Sequence, residues 1–276
     1  MIPSFESAQH IGAAIGSVLG QTMPHLEVVV VDDGSRDGTL DVVRSFRDSR
    51  VRVIEGGSRI GAAGNWNRAA QEARGYYVKL LCGDDVLYPD CLERQVDVLA
   101  TRPEVAIVAC KRDIVSATGR VLLRSRGLAG MSGVVDGKEA IKRTVLSGTN
   151  TLGEPAAVMV RTEVMARCGP FSGRLPYVID LDMWLRVLTH GDLFAIDEAL
   201  CAFRVLGRSW SVQLARYQSR DARVLFRRVR TQHPTVVTVW HELVGGLRAE
   251  SLAAGRRTFY GIWARDGLRP EAVRSA

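Results

Sequence analysis

The sequence predicts an α/β protein built on a mixed, mostly parallel sheet flanked by helices. Three observations carry this. Short apolar runs alternate with segments of helical spacing through the first 110 residues. Two of those runs lead into paired aspartates, Asp32-Asp33 and Asp84-Asp85. The 276 residues, 46% hydrophobic and 24% charged, suffice for one packed α/β unit with an appendage.

The elements follow in order. Ala8 to Leu19 places Ile11, Ala14, Ile15, Val18 and Leu19 on one face and reads as a helix. Leu26 to Val31 is an unbroken apolar run, the pattern of a buried parallel strand, and it delivers Asp32 and Asp33 at its C-terminal end. Thr39 to Phe46 reads as a helix and Val51 to Ile54 as a strand. Asn65 to Ala73 is helical, with Gly75 as its stop. Tyr76 to Leu81 is a strand ending at Gly83-Asp84-Asp85. Tyr88 to Ala100 is a helix with Pro89 near its start, and Val105 to Ala109 is a strand. This β-α-β-α order predicts a doubly wound sheet whose ligands sit at the carboxyl ends of the strands. Both acidic pairs fall there.

The second half is less regular. Lys111 to Gly153 shows no sustained period, and Arg120 to Gly133, rich in Gly, Arg and Ser, is expected to be a loop. Ala156 to Val160 reads as a strand, Leu181 to Thr189 as a helix and Leu193 to Ile196 as a strand. From Val212 the chain is helical and arginine-rich. Trp66 and Trp184 read as core residues, and Trp66, next to Asn65, is also placed to reach a pocket.

Several function classes are excluded. No apolar run approaches the roughly 18–20 residues of a membrane helix, and the N-terminus shows no signal-peptide pattern. The five cysteines are scattered without C-x-x-C spacing, so reduced thiols and no structural zinc are expected. These features predict a cytoplasmic protein. The five histidines do not cluster, and Gly56 to Gly64 does not form the G-x-G-x-x-G of a dinucleotide site.

The net charge of +7 is uneven: from Phe203 onward there are 14 arginines against five acids. Nucleic acid, an anionic membrane, a phosphorylated acceptor and a plain solvated face all fit such a tail. Arg216, Arg220, Arg223, Arg227 and Arg230 recur near one helix face. That face suits peripheral contact with the inner surface of a membrane or with a partner subunit.

Three acidic segments are the candidates for chemistry. Asp84 and Asp85 repel each other unless a cation intervenes, and Mg²⁺ binds through one or two carboxylates plus phosphate oxygens. The same residues also suit a turn or a helix N-cap. Asp33 suits a base N–H or ribose hydroxyl, or an Asx-type turn. Asp180 suits either an N-cap or a general base at a pocket edge. Asp182 faces another side of its helix and is expected to make a structural contact.

Taken together, the motifs resemble the family 2 glycosyltransferases of GT-A fold. Pro3-Ser4-Phe5-Glu6 resembles that family's segment after the first strand, and Ser17-Val18-Leu19-Gly20-Gln21-Thr22-Met23-Pro24 its next helix. Val31-Asp32-Asp33-Gly34-Ser35 with Asp37-Gly38-Thr39 is similar to its second strand end. Gly61, Gly64, Asn65, Asn67 and Arg68, then Ala73-Arg74-Gly75 and Tyr77, resemble the following helix and strand. Gly83-Asp84-Asp85 with Pro89 and Leu92 to Val96 resembles the metal-binding segment. Gly169, Phe171 and the run Asp180, Asp182, Trp184-Leu185-Arg186 resemble the catalytic-base region, and Phe203-Arg204-Val205 the segment that closes the fold. The resemblance runs from Met1 to about Ser211.

It implies a GT-A domain with a Rossmann-like nucleotide-sugar-binding half (residues 1–110), an acceptor-binding half (111–211) and an arginine-rich helical extension (212–276). It also implies roles. Asp33 binds the base, with Pro3, Ser4, Phe5 and Glu6 lining the same pocket. Asn65 and Arg68 lie near the nucleotide. Asp84 contacts the ribose or the metal, Asp85 ligates Mg²⁺ or Mn²⁺, and Asp180 is the base of an inverting single displacement. The implied donor is a UDP- or dTDP-sugar, the acceptor a glycan or lipid-linked hydroxyl in cell-surface polysaccharide or glycoconjugate synthesis, with no nucleic acid partner. The alternative is a catalytically idle relative that binds nucleotide-sugar or glycan. The chain departs from the family pattern in having only Met1-Ile2 before Pro3, in Leu206 where many relatives carry a histidine, and in Ile179 where a Glu often precedes the base.

Overall fold

The computed structural model describes residues 1–207 and 209–263. Residues 264–276 of the expected C-terminal extension lie outside the described residues. Strands β1 (Ile2–Ser4), β2 (Val28–Asp32) and β3 (Val51–Glu55) form a parallel layer in the order β1-β2-β3. The second sheet holds β4 (Tyr77–Val78), β5 (Val86–Leu87), β6 (Val105–Val115), β7 (Val121–Arg126), β8 (Gly133–Val135), β9 (Val158–Arg161) and β10 (Asp192–Arg204). Its path is β4-β9-β6-β10-β5, with β7 on β6 and β8 on β10. The long β6–β10 ladder is parallel and the other pairs of this sheet are antiparallel.

The helices are α1 (Ile11–Leu19), α2 (Thr39–Ser45), α3 (Gly61–Glu72), α4 (Cys91–Thr101), α5 (Gly137–Ser147), α6 (Thr162–Arg167), α7 (Ile179–Val187), α8 (Trp210–Gln213), α9 (Gln218–Gln232) and α10 (Val239–Trp263). The β2 run is buried on both faces. Val28 and Val30 pack in the cluster that holds Ile11, Ile15 and Val18 of α1, while Val29 and Val31 pack with Ala69 of α3. A run of four valines suits this position, since branched side chains fit a pleated surface covered on both sides.

The two sheets meet at Met1. Its nitrogen donates to Lys79 O at 2.9 Å, and Leu81 N donates to Met1 O at 3.0 Å. Beside this bridge a largely apolar cavity of about 540 Å³ separates β2 from β4. The strand expected over Tyr76 to Leu81 therefore pairs as a strand only at Tyr77–Val78.

Arg120 to Gly133 is not the expected loop. Val121–Arg126 pairs with β6 and is followed by a 3-10 turn at Leu128–Gly130. As an edge strand with mostly exposed side chains, β7 needs no apolar alternation. Helix α5 also lies within the stretch that lacks a clear period. Its start follows a capping pattern, with Asp136 Oδ1 accepting from Glu139 N at 3.0 Å.

The arginine-rich region packs onto this frame through close helix contacts. A Cβ on Gly148, which has φ 72° at the end of α5, would lie 2.6 Å from Ala249 N. A Cβ on Gly245 would lie 2.1 Å from Val145 O. Two glycines thus let α10 approach α5 nearly backbone to backbone.

Candidate active site

The carboxylates converge at the C-terminal edge of the strands. Asp84 and Asp85 follow the extended chain after β4, and Asp180 lies in the first turn of α7. All three line one cavity of about 170 Å³ together with Trp66, Cys82 and Glu154. Trp66 is an edge-to-face neighbour of Phe171, with ring centroids 5.3 Å apart, whereas Trp184 is core.

Asp85 is buried. Its Oδ1 accepts from Arg204 N at 2.9 Å, and its Oδ2 has no hydrogen-bond partner among the described residues. Burial, then the charge of Asp84, pushes its carboxyl well above the usual range. Ligand atoms of Cys82, Asp84 and Asp85 all lie within 4.8 Å of one another. This orphaned carboxylate oxygen beside a second carboxylate fits a divalent cation. The Cys82 thiol is pushed up by burial and by both aspartates, which leaves the oxygens as the donors for a hard ion. Arg204 braces the pair: its Nε donates to Asp84 O at 2.9 Å and its Nη1 to Ala117 O at 3.0 Å. Leu206, two residues on, is buried and offers no ligand atom.

Asp180 is half-buried. Its Oδ2 accepts from Asn150 Nδ2 at 2.9 Å and its Oδ1 from Leu181 N at 2.7 Å. Burial raises its carboxyl to about 7; Glu154 adds to the rise, while the Leu181 and Asn150 hydrogen bonds oppose it. Glu154 is itself ion-paired with Arg112, at 2.5 Å from Nε. Asp182 is structural, as expected: it is buried and paired with Arg186 at 3.1 Å and with Arg228.

The residues matched to nucleotide binding form a second group, at the ends of β1 and β2. Pro3 and Ser4 end β1, and Ser4 Oγ donates to Asp32 Oδ1 at 3.2 Å. Phe5 is partly exposed, with the Arg59 guanidinium 3.9 Å above its ring. Glu6 has φ 49°, and its Oε1 accepts from Arg36 N at 2.9 Å. Asp33 accepts from Ile60 N at 2.7 Å and Gly61 N at 2.9 Å, which fixes the loop before α3. Asn65 is buried; its Nδ2 donates to Val31 O at 3.0 Å, and its Oδ1 is without a partner among the described residues. Arg68 donates to Glu55 O at 2.9 Å. Asp33, Asn65 and Arg68 do not line the carboxylate cavity.

Sequence reasoning missed Arg112, Asn150, Glu154, Gln218 and Arg256, all of which line that cavity. Asn150 and Glu154 sit just outside α5, where the sequence shows no clear period. Arg256 lies on α10, more than fifty residues past the fold-closing segment, and carries no motif.

The family profile of Glycosyl transferase family 2 matches residues 1–164. The chain belongs to that family. Among its curated relatives is the Escherichia coli UDP-Glc:alpha-D-GlcNAc-diphosphoundecaprenol beta-1,3-glucosyltransferase WfgD. It is 28% identical over 203 residues, spanning 74% of this chain and 73% of that one. Against other curated relatives the chain spans 65% and 63% of their length. Among solved structures, Staphylococcus aureus TarS 1-349 in complex with UDP-GlcNAc superposes with a TM-score of 0.68 and 17% identity, covering 97% of this chain and 70% of that one. Mannosyltransferase PcManGT of Pyrobaculum calidifontis, in complex with GDP-Man and Mn²⁺, gives a TM-score of 0.64 and 18% identity, covering 97% and 82%. The GT-A fold expected from the sequence is shared with both.

Proposed function

We propose that this protein is an inverting glycosyltransferase that moves a sugar from a UDP- or dTDP-sugar to an acceptor hydroxyl in cell-surface glycan synthesis. One observation carries the reading: a carboxyl raised to about 7, Asp180, shares a cavity with the Asp84–Asp85 pair. A general base works best with a pKa near the operating pH. The ionised Asp180 takes the proton of the acceptor hydroxyl as that oxygen forms its bond to the anomeric carbon. The bond from that carbon to the diphosphate oxygen breaks, and the nucleoside diphosphate leaves. Asn150 and the Leu181 N–H orient the carboxylate toward this task.

Asp85, with Asp84, is the holder of Mg²⁺ or Mn²⁺; when bound, such an ion neutralises the leaving diphosphate's charge. The segment Pro3 to Glu6 and Asp33 form the base pocket, with Phe5 under Arg59 as its stacking surface. Asn65 keeps the ends of β1 and β2 in register, and Arg68 stands at the rim.

For the membrane contact, α9 and α10 are the candidates. Arg223 pairs with Glu250, and Arg227 and Arg230 with Glu242, while Arg216 and Arg220 stay exposed. Trp240, Leu243 and Leu247 form an exposed apolar stripe on α10. An apolar stripe with an arginine margin suits an anionic bilayer. No helix among the described residues is long and apolar enough to cross a membrane.

Replacement of Asp180 by Asn tests the reading. It is expected to cut transfer by about 10²–10⁴-fold while nucleotide binding persists. Comparable turnover in the variant removes Asp180 as the base.

A further inference from the structure

We infer that Arg256 and Gln218, from the C-terminal helices, form an anion subsite for a phosphoryl group carried by the acceptor. This rests on the transferase reading above. Both residues line the cavity that holds Asp180. Arg256 Nε donates to Gln218 Oε1 at 2.8 Å, and Arg256 Nη1 donates to Thr149 Oγ1 at 2.9 Å. The first bond fixes the amide orientation, because Gln218 must turn its oxygen toward the guanidinium. Gln218 Nε2 is then left buried with no partner among the described residues, in a side chain only 1% exposed. A buried amide donor without an acceptor costs free energy unless a ligand supplies one.

The position ties this subsite to the reaction. Thr149, which receives Arg256, precedes Asn150, which holds Asp180. The guanidinium and the orphaned amide are therefore linked to the base through two consecutive residues. The other charged residues facing the cavity are Asp84, Asp85, Asp180, Glu154 and Arg112, the last two ion-paired with each other. Arg256 is thus the cation left to meet an acceptor's negative group. A planar guanidinium beside an N–H donor suits a phosphoryl oxygen pair. The ligand class is a sugar whose anomeric oxygen is esterified to phosphate, with the attacking hydroxyl turned to Asp180. The glycine contacts that bring α10 onto α5 gain a functional reason, since they carry Arg256 to the cavity.

The test is calorimetric titration of the full chain, saturated with UDP and Mn²⁺, using octyl phosphate, inorganic phosphate and octyl glucoside. Octyl phosphate is expected to bind more tightly than inorganic phosphate, and octyl glucoside to bind no better than inorganic phosphate. Gln218→Met and Arg256→Ala are each expected to weaken octyl phosphate by about tenfold or more, with Arg256→Lys retaining part of the affinity. Should Arg256→Ala lose its fold by circular dichroism, Gln218→Met carries the comparison. No octyl phosphate binding to the UDP-loaded protein, or affinity unchanged in both variants, overturns the subsite. Equal affinity for inorganic and octyl phosphate overturns its assignment to an acceptor. Absence of UDP binding in the first step moves the titration to dTDP and GDP, and absence of binding by all three overturns the transferase reading instead.

Discussion

The raised carboxyl of Asp180 gives this protein a pH dependence that Asp180→Asn removes. The folded state holds the Asp180 proton up to about 7, against an ordinary value of 3.8. A folded pKa above the unfolded one means that stability is lost as pH rises between the two values. From pH 5 to pH 8 the loss from this residue is about 2–3 kcal/mol. The Asn variant carries no ionising group here, so its stability lacks that slope. It forfeits about 1 kcal/mol at all pH values, because one amide cannot accept from both Asn150 and Leu181. The variant is therefore expected to be about 0.5–1 kcal/mol more stable than the parent at pH 5 and about 3 kcal/mol more stable at pH 8. Urea unfolding of both proteins at pH 5, 6, 7 and 8 measures the difference directly. Asp85, also raised, contributes equally to both proteins and cancels. A difference that stays constant across this range would refute the shifted carboxyl and the reasoning built on it.

Other outcomes follow from the same geometry. Asn150→Ala removes a donor that favours the ionised Asp180, so the acidic limb of the pH–rate profile is expected to move upward, with slower transfer at pH 6. Asp85→Asn is expected to abolish the Mn²⁺-dependent binding of UDP, as seen by titration with and without Mn²⁺, and to stabilise the metal-free protein at neutral pH by removing a buried carboxyl that stands beside Asp84. Gly245→Ala places a methyl 2.1 Å from Val145 O and is expected to cost about 2 kcal/mol or more in thermal or urea unfolding. Sedimentation with phosphatidylglycerol vesicles is expected to carry the protein down, and Trp240→Ser with Leu243→Ser to release it; pelleting equal to that with neutral vesicles counts against the bilayer contact.

Most of the first half of the fold was legible because its signals are local. The valine run of β2 and the periodic face of α1 state their burial directly, and the strand-end aspartates mark the ligand edge. The second half hid for physical reasons. Strand β7 is an exposed edge, so hydrogen bonds rather than alternation define it. Helix α5 announces itself through Asp136 and Glu139, a cap that composition alone obscures. In the site, Asp84, Asp85 and Asp180 were readable from motifs. Their partners Asn150, Glu154 and Arg112 come together only through long-range packing. Arg256 was further out of reach: its position depends on two glycines that let α10 settle against α5.

The central claim is that the Asp84–Asp85 pair receives a metal-bound nucleoside diphosphate. Calorimetric titration of the protein with UDP, dTDP and GDP, each with and without Mn²⁺, tests it most directly. The account predicts binding of one diphosphate that requires Mn²⁺ and disappears in Asp85→Asn. Binding of none of the three, or binding indifferent to Mn²⁺ and to Asp85, would contradict it.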